Sequence, residues 1–443
     1  MRYTLARRFS AAAASPVAGT MVPIAPRHTP LEDAYEMTGT ELGRGAFGKV
    51  YAALCRKTGR EVAVKVCPLE PDTKKRAMVE YDMMRRVNVH ESGHVNICHL
   101  IDAYTDDKTL SIVMERCDGG DLFDLIVDLS STDAAEDAAG SNGGAGSEVD
   151  EDEPHGVGDE LALILGRQML CAVEAAHKSN IAHLDVKPEN FVFRERWSME
   201  SLRALTDGGA QGERRDGDQS EGAAARLADK LPELVLIDFG ASEPFRLAPY
   251  ASDADSYVPD LDDEVKLERV GGTACYVSPE VLAGRFSSRS DVWSVGVAMY
   301  MLLTGTRPFD SFKANDLEAE LSVRTQLEKI TAPEAAWPPS WADEWVKQRS
   351  REKEEYDRRR RAFDETSNEN RTAADAEWMA SHAGSTGAAP EILLLLMRML
   401  EADAVARLSA TEALEEIDRC LQRQTLRRYR FQTQLMSGAA AAR

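Results

Sequence analysis

The sequence predicts an α+β fold of two lobes, a small β-rich lobe followed by a larger, mainly helical one, with several low-complexity inserts. Three observations predict it. From Tyr35 to about Glu115 the chain runs in short β-type segments, broken by a single helical stretch around 74–87. Farther on the spacing turns helical: 161–178 carries apolar positions one turn apart, and 291–303 is apolar on every side, as a buried helix must be. Between these lie stretches that cannot pack, near 130–160, 195–230 and 342–388.

Each element has a local reason. Residues 130–160 hold ten acids and no Lys or Arg, set among Gly, Ala and Ser, so they bury too little apolar surface to offset the entropy of ordering. The 195–230 stretch is similar, whereas 342–388, with Arg358-Arg359-Arg360-Arg361 among many Glu, reads as a solvated charged helix. Ser409-Ala-Thr-Glu412 has the form of a capping box that opens a last helix. The organisation is therefore an arm at 1–34, one domain at 35–425 with its small lobe at 35–115 and its large lobe at 116–425, and a basic tail at 426–443.

Composition narrows the function classes. The chain has 443 residues, a net charge of -22, 43% hydrophobic and 29% charged residues, and no apolar run of the roughly 18 residues a membrane helix needs. The charge argues against a general affinity for nucleic acid. Seven Cys, odd in number and without a C-x-x-C pair, suit reduced thiols in a cytoplasmic compartment better than disulfides or a zinc site. Before Glu32 there is no acid, and Arg2, Arg7, Arg8 and Arg27 stand among Ala and Ser, a composition that suits an organellar presequence or a disordered arm.

The motifs that carry chemistry occur in order. Gly43-Arg-Gly45-Ala-Phe-Gly48-Lys-Val50 is a glycine-rich turn whose backbone can approach phosphates, although many hairpins have such a turn for structural reasons alone. Val62-Ala-Val-Lys65 reads as a strand ending in Lys, and Glu80 on the following helical stretch could pair with that ammonium and hold it against two phosphates. His183-Leu-Asp185-Val-Lys187-Pro-Glu-Asn190 brings a carboxylate able to accept a hydroxyl proton, an ammonium to offset phosphoryl charge and an amide oxygen for a metal ion. Asp238, in Ile-Asp-Phe-Gly after a strand-like Leu234-Val-Leu, is a second metal-chelating group. Each alone is unremarkable; their order and spacing are not.

Taken together, with Gly272-Thr273 through Ser278-Pro279-Glu280, these motifs resemble those of the eukaryotic protein kinases over about 35–425. The resemblance implies a two-lobed kinase fold, ATP as cofactor with Mg2+, and protein substrates bearing Ser or Thr. By the same likeness Ala63 and Val192 would enclose adenine beneath Leu42 and Val50. Met114 would stand as gatekeeper, Glu115 and Cys117 would offer hinge backbone groups, and Asp121 would meet the ribose. Thr273 would bond Asp185 and Lys187, Glu280 would pair with Arg407, and Asp291 would anchor the catalytic loop. Lys187-Pro-Glu-Asn is of the Ser/Thr type, and His-Leu-Asp with Gly119-Gly-Asp-Leu-Phe-Asp124 is nearest to the calcium/calmodulin-dependent group. The rival reading is a pseudokinase scaffold.

Leu184 departs from the family, which usually has an Arg there that grips an activation-loop phosphate. Four residues before Thr273, where a phosphorylatable Ser or Thr is expected, stands Arg269. Both halves of the phosphate switch are missing, which predicts control by other means. The acidic run from Asp253 to Glu264 is not a calcium loop, since Val258 occupies the position that needs Gly. At the carboxyl end Ile417, Leu421 and Leu426 among Arg419, Arg423, Arg427, Arg428 and Arg430 are spaced as a calmodulin target, or as a helix packed on the large lobe.

Overall fold

A computed structural model describes residues 25–45, 48–71, 73–88, 94–128, 157, 159–197, 233–245, 265–267, 273–305, 308 and 389–423. The inserts at 130–156, 198–230 and 342–388, the loop at 246–264, Arg269 and the tail beyond 423 lie outside them. The chain forms two compact units. Among the described residues the first comprises 25–125, 168–197 and 233–294, and the second 126–167, 295–308 and 389–423.

The first unit is built on an antiparallel sheet in the order β1-β2-β3-β5-β4, with β1 at Tyr35–Gly45, β2 at Gly48–Cys55, β3 at Glu61–Pro68, β4 at Leu100–Thr105 and β5 at Thr109–Glu115. Alternation along β3 divides its side chains. Val62 and Val64 join a core with Tyr35, Ala53, Tyr104 and Val113, which leaves Ala63 and Lys65 for the other face. The close approach of β2 to β3 requires Gly48, since a Cβ there would stand 2.5 Å from the Val66 carbonyl oxygen. Helix α1 (Lys74–Val87) follows β3 and buries Ala77, Glu80, Tyr81, Met83, Met84 and Val87 along one stripe. Its one buried charge is Glu80.

After the short helix α2 (122–128) comes α3 (Asp159–Lys178), then two small hairpin pairings. Strand β6 (Ile181–Ala182) pairs with β9 (Glu243–Pro244), and β7 (Phe191–Phe193) with β8 (Leu234–Leu236). They hold the loop between β6 and β7 from both ends. A further pair, β10 (Val265–Lys266) and β11 (Arg285–Phe286), flanks the short helix α4 (Pro279–Leu282), and α5 spans Ser288–Thr304.

The second unit packs helices on one another. Gly166 in α3 meets Met299 of α5 where a side chain would not fit, and Gly296 of α5 faces Leu400, just past α6 (Ala389–Met399). The capping box is formed: the Ser409 N–H donates to Glu412 Oε2 at 2.8 Å and the Glu412 N–H to Ser409 Oγ at 3.3 Å, opening α7 at 410–423.

Three sequence expectations change. Arg27, assigned to the arm at 1–34, lies along the free edge of β4, its N–H 2.8 Å from the Ala103 carbonyl and its own carbonyl 2.8 Å from the Thr105 N–H. Its guanidinium binds Asp102 at 2.8 Å, so residues 25–34 belong to the sheet unit; a single edge partner leaves no periodic pattern to read. Asp159 and Glu160, counted with the acidic insert, are the first turn of α3, where acid complements the helix dipole. Ile417 and Leu421, offered as calmodulin anchors, are buried in the second unit, and Arg419 and Arg423 pair with Glu415, Glu416 and Glu391. In this fold the packed-helix alternative holds for 410–423; Leu426 and Arg427 onward lie outside the described residues.

Candidate active site

Every side chain of the candidate site lies in the first unit. Lys65 extends from β3 beneath the glycine turn, and its ammonium meets Glu80 Oε1 at 2.5 Å and Asp238 Oδ1 at 2.9 Å. Only 15 residues separate Lys65 from Glu80, yet α1 follows the strand closely enough to bring them together. Burial works against the Lys65 charge, but the two carboxylates outweigh it and hold its pKa above the ordinary value. Burial also opposes ionisation of Asp238, and there Lys65 and the Gly240 N–H win, holding its carboxyl below the usual range. Glu80 is pushed upward, chiefly by burial, and its Oε2 has no hydrogen-bond partner. One ammonium thus serves two carboxylates, Glu80 buried and Asp238 partly exposed.

Asp238 stands in the left-handed region at φ 58°, its carboxylate accepting the Gly240 N–H at 3.2 Å. Gly45 of the glycine turn comes close: a Cβ there would be 3.6 Å from Asp238 Oδ2. Gly45 thus lies beside the carboxylate.

The loop 183–190 is organised by two carboxylates. Asp291, fully buried on α5, accepts the His183 N–H at 2.8 Å, the Leu184 N–H at 2.8 Å and the His177 Nε2–H at 2.9 Å. Burial alone would raise its pKa; His177 and the backbone donors hold it below the ordinary value. Leu184 is itself left-handed, at φ 62°, which costs a non-glycine residue about 1 kcal/mol, and its side chain is buried. The Asp291 bond and that burial offset the cost. Asp185 is the second organiser. Its Oδ1 accepts the Thr273 N–H at 3.0 Å and the Thr273 hydroxyl at 3.1 Å, while Oδ2 accepts Asn190 Nδ2–H at 3.0 Å and lies 3.0 Å from Lys187 Nζ. Lys187 also donates to Thr273 Oγ1 at 2.7 Å. With the Asn190 amide nitrogen committed to Asp185, its amide oxygen is the group left for a ligand.

The residues assigned to adenine and ribose are spread over β1, β2, β3, β5, β7 and the segment between β5 and α2. Ala63 pairs across the sheet with Ala52 and Met114, and Val50 with Lys65. Leu42 is exposed at a β1 irregularity, beside Gly43, which pairs with Val50. Met114 is buried on β5. The Glu115 N–H is spent on the His99 carbonyl at 2.9 Å, so its carbonyl is what it can offer a base. Burial, with Glu115 adding to it, pushes the Cys117 thiol up to about 12. Asp121 caps α2 by accepting the Asp124 N–H at 2.8 Å and bridges to Val192. Glu280 is buried and accepts the Ser290 hydroxyl at 2.7 Å, and Arg407, buried in the second unit, donates to the Glu401 carbonyl at 2.8 Å.

Residues 37–417 match the protein kinase domain. The chain belongs to that family. Among its relatives are a calcium/calmodulin-dependent serine/threonine-protein kinase 1 of Oryza sativa, 32% identical over 62% of this chain and 34% of its own, and CDPK-related kinase 5 of Arabidopsis thaliana, 34% identical over the same shares. CDPK-related kinase 7 of Arabidopsis thaliana is 31% identical over 69% of this chain and 40% of its own. The matched region spans about a third of the length of the first two relatives. In this kinase domain three supporting residues carry no local sequence signal. Asn96 donates to Gln168 Oε1 and the Leu234 carbonyl, His177 reaches Asp291, and Arg194 reaches Glu115; each partner is 60 or more positions away.

Proposed function

We propose that the protein is an active serine/threonine kinase that transfers the ATP γ-phosphoryl group to protein hydroxyls with magnesium, without waiting for an activation-loop phosphate. The observation that carries it is the simultaneous engagement of Lys65 with Glu80 and Asp238 and of Asp185 with Thr273, Lys187 and Asn190. ATP would supply the phosphoryl group, and magnesium, held by the hard oxygen donors of Asp238 and Asn190, would offset its charge. Lys65 holds the phosphates, fixed by Glu80. Asp185 orients the acceptor hydroxyl and takes its proton, with its carboxylate aimed by Thr273 and Asn190. Lys187 offsets charge on the moving phosphoryl group. The scaffold alternative is disfavoured because a protein that only binds partners would not need Lys65, Asp185, Asn190 and Asp238 together.

Control without a phosphate rests on Leu184. Asp291 and the buried Leu184 side chain hold the catalytic loop, and no Arg at this position asks for a phosphate. Protein made in a host lacking other kinases, and verified unphosphorylated by mass spectrometry, is expected to phosphorylate peptide. Activity that appears only after phosphorylation of Ser252 or Ser256 would falsify this. For the substrate, Glu189 Oε2 is shielded and without a hydrogen-bond partner, and with Asp121 it favours acceptors preceded by basic residues. A degenerate-peptide array showing no enrichment of Arg or Lys before the acceptor removes that preference. Calcium/calmodulin control, carried in the name of the rice relative, would act here through the chain beyond 423 or by stripping α7 from its unit. A 411–437 peptide that binds calmodulin only with calcium would support it.

A further inference from the structure

From Asp118 to Asp121 the segment after the gatekeeper is laced to β7 and to Arg194 just past it. The Asp118 N–H donates to the Arg194 carbonyl at 3.3 Å, the Gly119 N–H to the Phe193 carbonyl at 2.9 Å and the Phe193 N–H to the Gly120 carbonyl at 2.9 Å. Asp121 bridges Val192. Gly119 leaves no room for a side chain, because a Cβ there would lie 2.2 Å from the Glu195 carbonyl oxygen.

One side chain clasps this lacing. Arg194 makes a two-pronged contact with Glu115, Nε to Oε2 at 3.0 Å and Nη2 to Oε1 at 3.2 Å. The same Nη2 donates to the Val95 carbonyl at 2.9 Å, and Nη1 pairs with Glu233. Glu115 Oε1 also accepts the His99 N–H at 2.9 Å, so the carboxylate is held from both sides and is buried. Asn190 stands just before β7, Val192 within it and Arg194 just after it, so one five-residue segment carries the proposed metal ligand, the adenine floor and the hinge clasp.

We propose that Arg194 is a positioning residue for the nucleotide: through Glu115 it fixes where the hinge backbone of Glu115 and Cys117 meets the base, and so sets the preference for adenine. This rests on the reading of the cleft as an ATP site. A planar guanidinium suits the role, since its fork fixes the direction of the Glu115 side chain as well as its charge. A loosened hinge weakens contacts to the base and leaves Asp185, Lys187 and Lys65 where they were.

The test is steady-state phosphotransfer with ATP and with GTP, together with calorimetric affinity for ADP, for the full chain and for Arg194→Met. Arg194→Met is expected to raise the KM for ATP about tenfold, equivalent to about 1.4 kcal/mol, with kcat within about twofold and a smaller ATP-over-GTP preference. Arg194→Lys, which keeps the charge and loses the fork, falls between. Should Arg194→Met not fold, because Glu115 is left buried and unpaired, the double variant Glu115→Leu/Arg194→Met removes both charges and is expected to show the same rise. Folded variants with unchanged KM, ADP affinity and nucleotide preference overturn the proposal, as does an equal fall in kcat and kcat/KM. A wild-type chain that binds no nucleotide instead overturns the ATP-site reading and the proposal with it, whereas one that binds ADP without phosphotransfer leaves the ADP comparison as the deciding measurement.

Discussion

The loop 183–190 and the helix α7 at 410–423 are both dense in charge, and the sequence drew attention to both, yet their charges stand in opposite surroundings. In the loop, Asp185 is tied to Thr273, Asn190 and Lys187, and the N–H groups of His183 and Leu184 before it hang on fully buried Asp291. On α7 the apolar Ile417 and Leu421 turn inward, while Arg419 and Arg423 make pairs whose arginine side chains are at least half exposed. Like residue types thus serve as machinery in one place and as a solvated face in the other. Burial decides, because a charge removed from water must be met by fixed donors, whereas an exposed one is served by water and salt.

The largest expected effect is at the machinery end. Asp185→Asn keeps the shape of the loop and removes the proton acceptor, and is expected to lower kcat by about 10²- to 10⁴-fold with little change in melting temperature. A kcat within tenfold of wild type would place Asp185 with the merely structural charges. Next comes Glu80→Gln, which leaves Lys65 with Asp238 alone; it is expected to raise the KM for ATP and lower kcat/KM by about 10- to 100-fold.

Arg27 tests the ground between the extremes. It is half exposed, but its partner Asp102 is buried and also accepts the Tyr104 hydroxyl at 3.0 Å. Arg27→Ala is expected to cost about 1 kcal/mol, a fall of a few degrees in melting temperature, with kcat unaltered. An unchanged melting curve would return residues 25–34 to the arm. Acid sharpens the contrast further. The carboxyl groups of Asp291 and Glu416 are both held below their ordinary values, so the stability each contributes is present above about pH 4 and is lost as pH falls through the folded value. Asp291 is buried, so its contribution is expected to persist in 0.5 M salt, and Asp291→Asn to flatten the fall in stability between about pH 5 and 3. Glu416→Gln is expected to matter only at low salt. Smallest of all, Arg419→Ala with Arg423→Ala is expected to shift stability by less than about 0.5 kcal/mol, as urea denaturation would show.

Much of this was legible in order and spacing. The strands, the 74–87 helix, the capping box and the candidate site residues Lys65, Asp185, Asn190 and Asp238 are short-range patterns, and the likeness to kinases follows from their succession. Arg27, Arg194 and His177 were illegible because each acts on a partner at least 75 positions away, and a single long-range hydrogen bond leaves no periodicity. The spacing at Ile417 and Leu421 left two readings side by side for a related reason, since apolar residues one turn apart mark any amphipathic helix, whether it docks on a partner or on its own domain.

The sequence by itself determined the family, the candidate reactive groups and the absence of an Arg before Asp185, because these depend on which residues follow one another. The tertiary structure alone decided that Leu184 adopts a left-handed conformation hung on Asp291, that Glu80 reaches Lys65, and that Arg194 clasps Glu115. Those facts depend on distances across the fold, where burial removes water and makes each polar group find its partner in another part of the chain.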